Sequence, residues 1–590
     1  MRKNASSKLV LNRVKPLFVG LLSLFCFQSL SLEAQTAKQF DFDDPLKEQL
    51  RLSGNFGELR GSHFHAGLDL KTNLTIGKPV YAAADGYVSR LKVAHFGYGK
   101  ALYLTHEGGY GSVYAHLDRF AEDIQNYIKN TQYKKERFQV ELFPSKDKFV
   151  VKKGDLIGYT GNTGSSGGPH LHFEIRDPQS RPLNPLDYGI EISDAKSPIP
   201  TVLRWYPHNK NGRNVETYGQ NLSLTQIRPN EFLAESLTTS GRIGFGIGAY
   251  DQQDGSSNKN GVYRIKTSLN GALTQDILFD RISFDESKFM NRYMDYRHYR
   301  ERKQRVQKLF RETNNPLGII KILESDGYVS IEPGASYVYR IELMDYSGNQ
   351  TTIDVPIVGI ESEESQIIQA SAKPQDQSGD DLERLTEIPN SSATSWSESR
   401  YSVFFSKGCF YESTALDLSV DSEILRLDRD RFAVYKPIKI SYRADHLSPE
   451  DLAKAYIARI DPYGKPIYQN TSRSGTTLEA SVSALGNYGV FFDDVPPTIS
   501  LRQPAEGQWY SKAKKLKVTI KDKESGIADY RATINGRFIL MEYDYKTNRL
   551  TYDFSDAIID EAAHNLKVVV LDNAGNSTTF ERLFYRKADD

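Results

Sequence analysis

The chain has 590 residues, with 75 Lys+Arg balancing 75 Asp+Glu, 39% hydrophobic and 25% charged residues. At about 150 residues per domain, that length implies about four domains. The composition excludes a disordered or polytopic membrane chain, and the lack of basic excess argues against a nucleic-acid partner. Thirty-five Tyr and 29 Phe against five Met favour β-structure, because aromatic rings suit a pleated, half-buried surface.

At the start, Arg2, Lys3, Lys8, Arg13 and Lys15 precede an apolar run from Leu17 to Phe27, and a small residue follows at Ala34. This order predicts a secretory signal peptide over residues 1–34, with an uncleaved anchor as the alternative. The run is too short to span a bilayer comfortably. Cys26 follows Phe25 where a lipoprotein signal needs a small residue. Cleavage after Ala34 leaves 70 Lys+Arg against 74 Asp+Glu, a net charge of −4, and Cys409 as the single cysteine. One cysteine forms no internal disulfide. No later apolar run approaches about 18 residues, so no integral membrane segment is expected after cleavage. The expected location is periplasmic, cell-envelope-associated or extracellular.

Residues 36–197 carry short strand patterns separated by Gly-rich turns: Val80 to Ala83, Tyr87 to Val93, Ala101 to Thr105, Ser112 to His116 and His170 to Ile175. An insertion of about 119–150 contains AEDIQNYIKNTQYKK (Ala121 to Lys135), whose apolar spacing predicts a helix. Residues 198–360 end in a strand and then Asp345-x-x-Gly348-Asn349. Residues 494–590 end in a strand and then Asp572-x-x-Gly575-Asn576. Upstream, the stretch around Asp251 and Gly261 parallels that around Asp522 and Gly526. We read an internal repeat of a β-sandwich module. Its Asp and Asn residues fit turns stabilised by local backbone hydrogen bonds, with calcium binding as the alternative. The acidic, Ser-rich segment 361–398 reads as a linker. Strand patterns resume over 399–493, with a Ser-capped helix from Ser448 to Ala455. The expected fold class is mainly β: an antiparallel β-sheet domain followed by several immunoglobulin-like β-sandwich modules.

Seven of the 11 His fall between positions 63 and 172. They cluster in His63-Phe-His65-Ala-Gly-Leu-Asp69, Tyr114-Ala-His116-Leu117 and Pro169-His170-Leu-His172-Phe-Glu174. On a strand, residues two apart share a face. His170 and His172 therefore point into one site, either sharing a metal or with one ligating and the other working beside it. His65 and Asp69 add nitrogen and oxygen donors. Two His and a carboxylate are a usual ligand set for catalytic zinc, and one cysteine rules out a thiolate-closed structural site. His95 and His106 read as hydrogen-bonded structural residues, and so does His63, whose second reading as an alternate ligand has the wrong spacing to Asp69.

Together these motifs resemble the lysostaphin/LytM-type zinc endopeptidases of bacterial cell walls, over about residues 50–190. The stretches Gly77 to Val88, Gly99 to Leu104 and Gly154 to Gly164 follow that family's landmarks in order. The resemblance implies an antiparallel β-sheet metallopeptidase domain binding one Zn2+ through His65, Asp69 and His172. It also implies His116 and His170 as catalytic residues, and peptidoglycan as substrate. Glu58 and Arg60 are candidate groove-lining, substrate-binding residues. Glu174 is either a partner behind His172 or an ordinary groove acid. The long segment from Leu117 to Gly154 exceeds the family minimum and is expected to wall the groove. A non-catalytic wall-binding or regulatory protein, and a zinc peptidase acting on a protein, are the competing readings.

Overall fold

The computed structural model describes residues 41–208, 219–361, 385–556 and 561–587. The expected signal peptide lies outside the described residues. So does most of the expected linker. From Phe42 onward the chain forms one compact unit.

The first sheet uses β1 (Leu52–Gly54), β2 (Leu68–Lys71), β3 (Gly86–Val93), β4 (Lys100–His106), β5 (Gly111–Ala115), β6 (Val140–Leu142) and β7 (His170–Arg176). They lie in the order β1-β2-β7-β5-β4-β3-β6, with every pair antiparallel. In β7 the two-residue period separates two jobs. Leu171, Phe173 and Ile175 are fully buried on one face, and His170, His172 and Glu174 occupy the other. Phe173 sits opposite Tyr114 of β5, their rings 5.3 Å apart. A cross-strand aromatic pair of this kind contributes about 0.5–1.5 kcal/mol beyond its area burial.

The inserted helix forms as expected, as α1 (Glu122–Lys135). Glu122 and Asp123 in its first turn and Lys134 and Lys135 in its last complement the helix dipole. Ile124, Ile128 and Gln132 are its buried residues, at the i, i+4 spacing of one face. Rather than standing as a loose wall, the insertion is tied down: β6 pairs with β3, and Tyr133 Oη donates to Asp556 Oδ2 at 2.5 Å. Lys129 pairs with the same carboxylate. The insertion therefore docks on the last module.

Three two-sheet modules follow. In the first, Phe245 on the strand Gly241–Tyr250 stacks on Tyr339 of Ser336–Met344 at 4.3 Å, joining a five-stranded to an eight-stranded sheet. In the second, Val403, Ile440 and Leu478 from one five-stranded sheet share a core with Leu425, Ile457 and Tyr488 from the other. In the third, Val518 and Leu550 meet Ala532, Val568 and Phe584. The sheets are not wholly antiparallel: Glu231–Ala234 and Leu237–Thr239 run parallel to Gln350–Gly359. The Ser-capped helix is present as Pro449–Lys454, with Ser448 Oγ accepting from Asp451 N.

The linker reading needs correction at its C-terminal end. Thr386–Ile388 and Thr394–Glu398 are strands, paired with Thr414–Leu416 and Tyr401–Phe405. Their Ser- and Thr-rich composition carries little pattern of its own, and their order comes from the neighbouring strand and from packing of Trp396 on the core. Among the described residues, no helix is long and apolar enough to cross a membrane.

The repeated Asp-x-x-Gly-Asn turns are superimposable in their bonding. Asp345 Oδ1 accepts from Asn349 N at 2.8 Å and Oδ2 from Asn349 Nδ2 at 2.7 Å. Asp572 Oδ1 accepts from Asn576 N and Oδ2 from Asn576 Nδ2, both at 2.8 Å. Each Asn Nδ2 also donates to the backbone of the segment entering its module, at Asp194 O (3.2 Å) and Asp493 O (2.7 Å). Asn576→Ala removes these two buried bonds and the one that Asn576 Oδ1 accepts from Lys454 Nζ, and should destabilise the last module by about 2 kcal/mol. Urea unfolding followed by Trp509 fluorescence checks this; an unchanged midpoint would show that the turn holds without its Asn.

Candidate metal centre

The register of β7 between β2 and β5 builds the site. His172 pairs directly with Asp69 of β2 on one side and with Ala115 of β5 on the other. His65 reaches the same point from a short bridged loop, in which Gly57 N donates to His65 O and His65 N to Glu58 O. As a result His65 Nε2, Asp69 Oδ1 and His172 Nδ1 lie 2.9–3.0 Å from one another. All three residues are buried. Against desolvation, the imidazoles of His65, His170 and His172 hold Asp69 well below the usual carboxylate range.

The outer nitrogen of each imidazole in this triangle is engaged. His65 Nδ1 donates to Asn55 O at 2.7 Å, and His172 Nε2 to Glu174 Oε1 at 2.8 Å. With a metal present, those bonds would leave each lone pair on the inner nitrogen, facing it. Three facing donors, two nitrogens and one carboxylate oxygen, suit Zn2+ and leave its fourth position open.

Glu174 has no exposed side-chain surface. Arg176 Nη2 pairs with its Oε2 at 2.6 Å, and Tyr98 Oη donates to its Oε1. Against desolvation, Arg176 and His172 hold its carboxyl down at about 2. The Tyr98 ring also stacks on His172 at 5.2 Å. On the other flank, Arg60 Nη2 donates to Asp69 Oδ2 at 2.7 Å and lies 3.4 Å from Glu58 Oε2. Gly54 sits beneath this group, where a Cβ would overlap Arg60 Nη2 and Asp69 Oδ2.

His116 and His170 stand beside the triangle, their ring centroids 4.8 Å apart. His116 follows β5 with φ +60, a sparsely populated conformation for a residue with a side chain. Gly161 permits the close backbone approach there, since a Cβ on it would overlap His116 O and Asp118 N. His116 Nδ1 donates to Thr163 O at 2.9 Å and His170 Nδ1 to Gly168 O at 2.8 Å, leaving both Nε2 lone pairs available. His170 Nε2 is 3.4 Å from Asp69 Oδ1. Burial, reinforced by His172 and His170, pushes His116 down to about 3, so it is a neutral imidazole.

The structure thus brings His65, Asp69, His116, His170, His172, Glu174, Arg60 and Glu58 into one region. It keeps His106 apart, bonded to Asp85 O and Ser112 Oγ, and His95, stacked on Phe138 at 5.1 Å. His63 is exposed. Several supporting residues escaped the sequence reading. Asn55 and Tyr98 lie in short turns with no motif around them. Lys546, 380 residues from the Gly-rich loop, donates to Asn162 O, to Gly164 O at 3.2 Å and to Ser166 O at 3.2 Å. Phe96 packs on Tyr545 at 4.6 Å beside it.

The model of peptidase family M23 matches residues 63–133 and 140–185. The DD-carboxypeptidase/endopeptidase Mpg of Neisseria meningitidis is 32% identical over 145 residues, 24% of this chain and 27% of that protein. The peptidoglycan DD-endopeptidase ShyB of Vibrio cholerae is 31% identical over 133 residues, 22% and 25% of the two chains. The chain therefore spans about a quarter of the length of the curated relatives it matches. A zinc-containing peptidase from Vibrio cholerae of known structure is 25% identical, covering 26% of this chain and 41% of that one, with a TM-score of 0.20. The matched segments, residues 63–133 and 140–185, hold all three histidine motifs in order and are similar to peptidase family M23.

Proposed function

We propose that this chain is an exported, zinc-dependent endopeptidase that hydrolyses peptide bonds in peptidoglycan cross-links or bridges. One observation carries the reading: three buried donors within 3.0 Å of each other, flanked by the two imidazoles of His116 and His170. The family match and relatives named as peptidoglycan DD-endopeptidases support the reaction and substrate. The basic and apolar N-terminal stretch supports export.

His65, Asp69 and His172 would hold Zn2+, which supplies Lewis-acid polarisation of a peptide carbonyl and acidifies water. The remaining chemistry belongs to the chain. His116, neutral and fixed by Thr163 O, takes a proton from the attacking water at its Nε2. His170, fixed by Gly168 O, presents its Nε2 beside the same point; the proton that His116 takes from the water is the one delivered to the leaving amine as the C–N bond breaks, directly or by way of His170 Nε2. Glu174 fixes the tautomer of His172. Arg60 occupies Asp69 Oδ2, so Oδ1 faces the triangle; Arg60 and Glu58 stay candidate groove-lining residues for the substrate.

Incubating the mature chain with peptidoglycan, with and without a chelator, tests the reaction. New peptide termini in the muropeptide chromatogram should appear only with zinc, and their absence would overturn the proposal. His170→Ala should lower cleavage by about 100-fold or more while zinc content by elemental analysis stays at one per chain. Survival of activity would remove His170 from the chemistry. Glu174→Gln should weaken zinc binding by about 10–100-fold in a chelator competition.

A further inference from the structure

The junction between the M23 domain and the first sandwich module gathers three carboxylates. Asp194 lies on the segment entering the module, Asp251 follows the strand Gly241–Tyr250, and Asp345 follows Ser336–Met344. A carboxylate oxygen from each lies within 4.8 Å of the others. Asp345 oxygens each accept one bond from Asn349, and Asp194 Oδ1 accepts from Lys196 N at 3.0 Å. Lys196 Nζ is turned to Gln253 O.

Two oxygens here stand apart. Asp251 Oδ1 and Asn260 Oδ1 accept no hydrogen bond, although Asp251 is 6% exposed and Asn260 3%. Paired backbone bonds of 2.9 and 2.8 Å lock these two residues together, and both line one small cavity with Asp194 and Asp345. A buried acceptor without a donor is costly, and more so when charged. Desolvation, then Asp194 and Asp345, push the Asp251 carboxyl up to about 8. A cation removes both costs. The donors are all oxygen, the set chosen by a hard cation taking six to eight oxygens, and not by zinc.

The sister cluster in the last module is different. There Asp493 accepts from Val495 N and Ser525 N, Asp522 from Glu524 N and Gly526 N, and Asp572 from Ala574 N and Asn576. Each of these carboxylates accepts at least two bonds from the chain itself, both of Asp522's at Oδ2.

The first cluster also anchors a loop that reaches the metal centre. Between Asp251 and Gly261, Gln253 Oε1 accepts from Leu52 N at 2.7 Å, Ser256 Oγ donates to Leu52 O, and Asn258 Nδ2 to Ser53 O. Gly261 N donates to Asn55 Oδ1 at 2.8 Å, and Asn55 Nδ2 returns a bond to Gly261 O at 2.6 Å. The loop lies along β1 and holds Asn55, whose carbonyl orients His65.

We propose that Asp194, Asp251, Asp345 and the Asn260 side-chain carbonyl bind one calcium-class divalent cation, which fixes the 251–261 loop on β1 and thereby the backbone that orients His65. Calorimetric titration of Ca2+ into the full mature chain, kept saturated with zinc, tests this. One site per chain is expected. Asp251→Asn should weaken it at least tenfold, and Asp522→Asn should leave it unchanged. Asn260→Asp, which keeps an oxygen in place, should retain binding, and Asn260→Leu should lose it. Calcium should raise the melting midpoint of the wild type and not that of Asp251→Asn. No saturable Ca2+ binding, or binding that survives both Asp251→Asn and Asn260→Leu in folded protein, would overturn the proposal.

Discussion

Side chains alternate along a strand, so the pairing of Leu68–Lys71 with His170–Arg176 admits no small error. A slip of one residue would turn His172 and Glu174 into the apolar layer and bring Leu171 and Phe173 to the site face. The true register puts Asp69 opposite His172. It is enforced by the layer on the other side, where Leu70, Leu171 and Phe173 have no exposed surface. The hydrophobic core thus sets the distances between donors that it never touches. Each imidazole then needs only one anchor on its outer nitrogen to aim its inner lone pair, and Asn55 O and Glu174 provide them.

The parts of the site that share a strand or a tight turn were legible in the sequence. His170-x-His172-x-Glu174 declares its common face through the period of two, and the Gly-rich stretch before it announces a turn. Asp69 and His65, brought in from another strand and a loop, became readable only through the ordered set of motifs. Lys546 and Asn55 left no local signal: each acts through a bond to backbone, which any sequence supplies. The same limit explains the strands within the expected linker. Thr386–Ile388 and Thr394–Glu398 owe their order to a partner strand, and no periodicity of their own marks them. The repeated Asp-x-x-Gly-Asn turns sit at the opposite extreme, because a short side chain bonding its own backbone writes its geometry into spacing.

Support for the site is drawn from far along the chain. The loop Asp251 to Gly261 grips β1 from one side. The 542–553 region grips from another, where Lys100 Nζ meets Glu542 at 2.9 Å and Lys546 meets three carbonyls of the Gly-rich loop. Surface ion pairs are worth little singly. An ammonium shared among three carbonyls acts differently: it fixes the shape of a loop whose glycines give it little stiffness. His116 and His170 both donate to carbonyls of that same loop, Thr163 O and Gly168 O, so the loop's shape is their aim.

That grip has a consequence in time. Synthesis runs from the N-terminus, and every histidine of the site emerges more than 370 residues before Lys546 does. Until the last module has been made and folded, the loop under His116 and His170 lacks the three bonds that tie it. A truncated chain would contain the whole motif without its final brace. The loop under His116 and His170 therefore depends on a module made long after the histidines it serves.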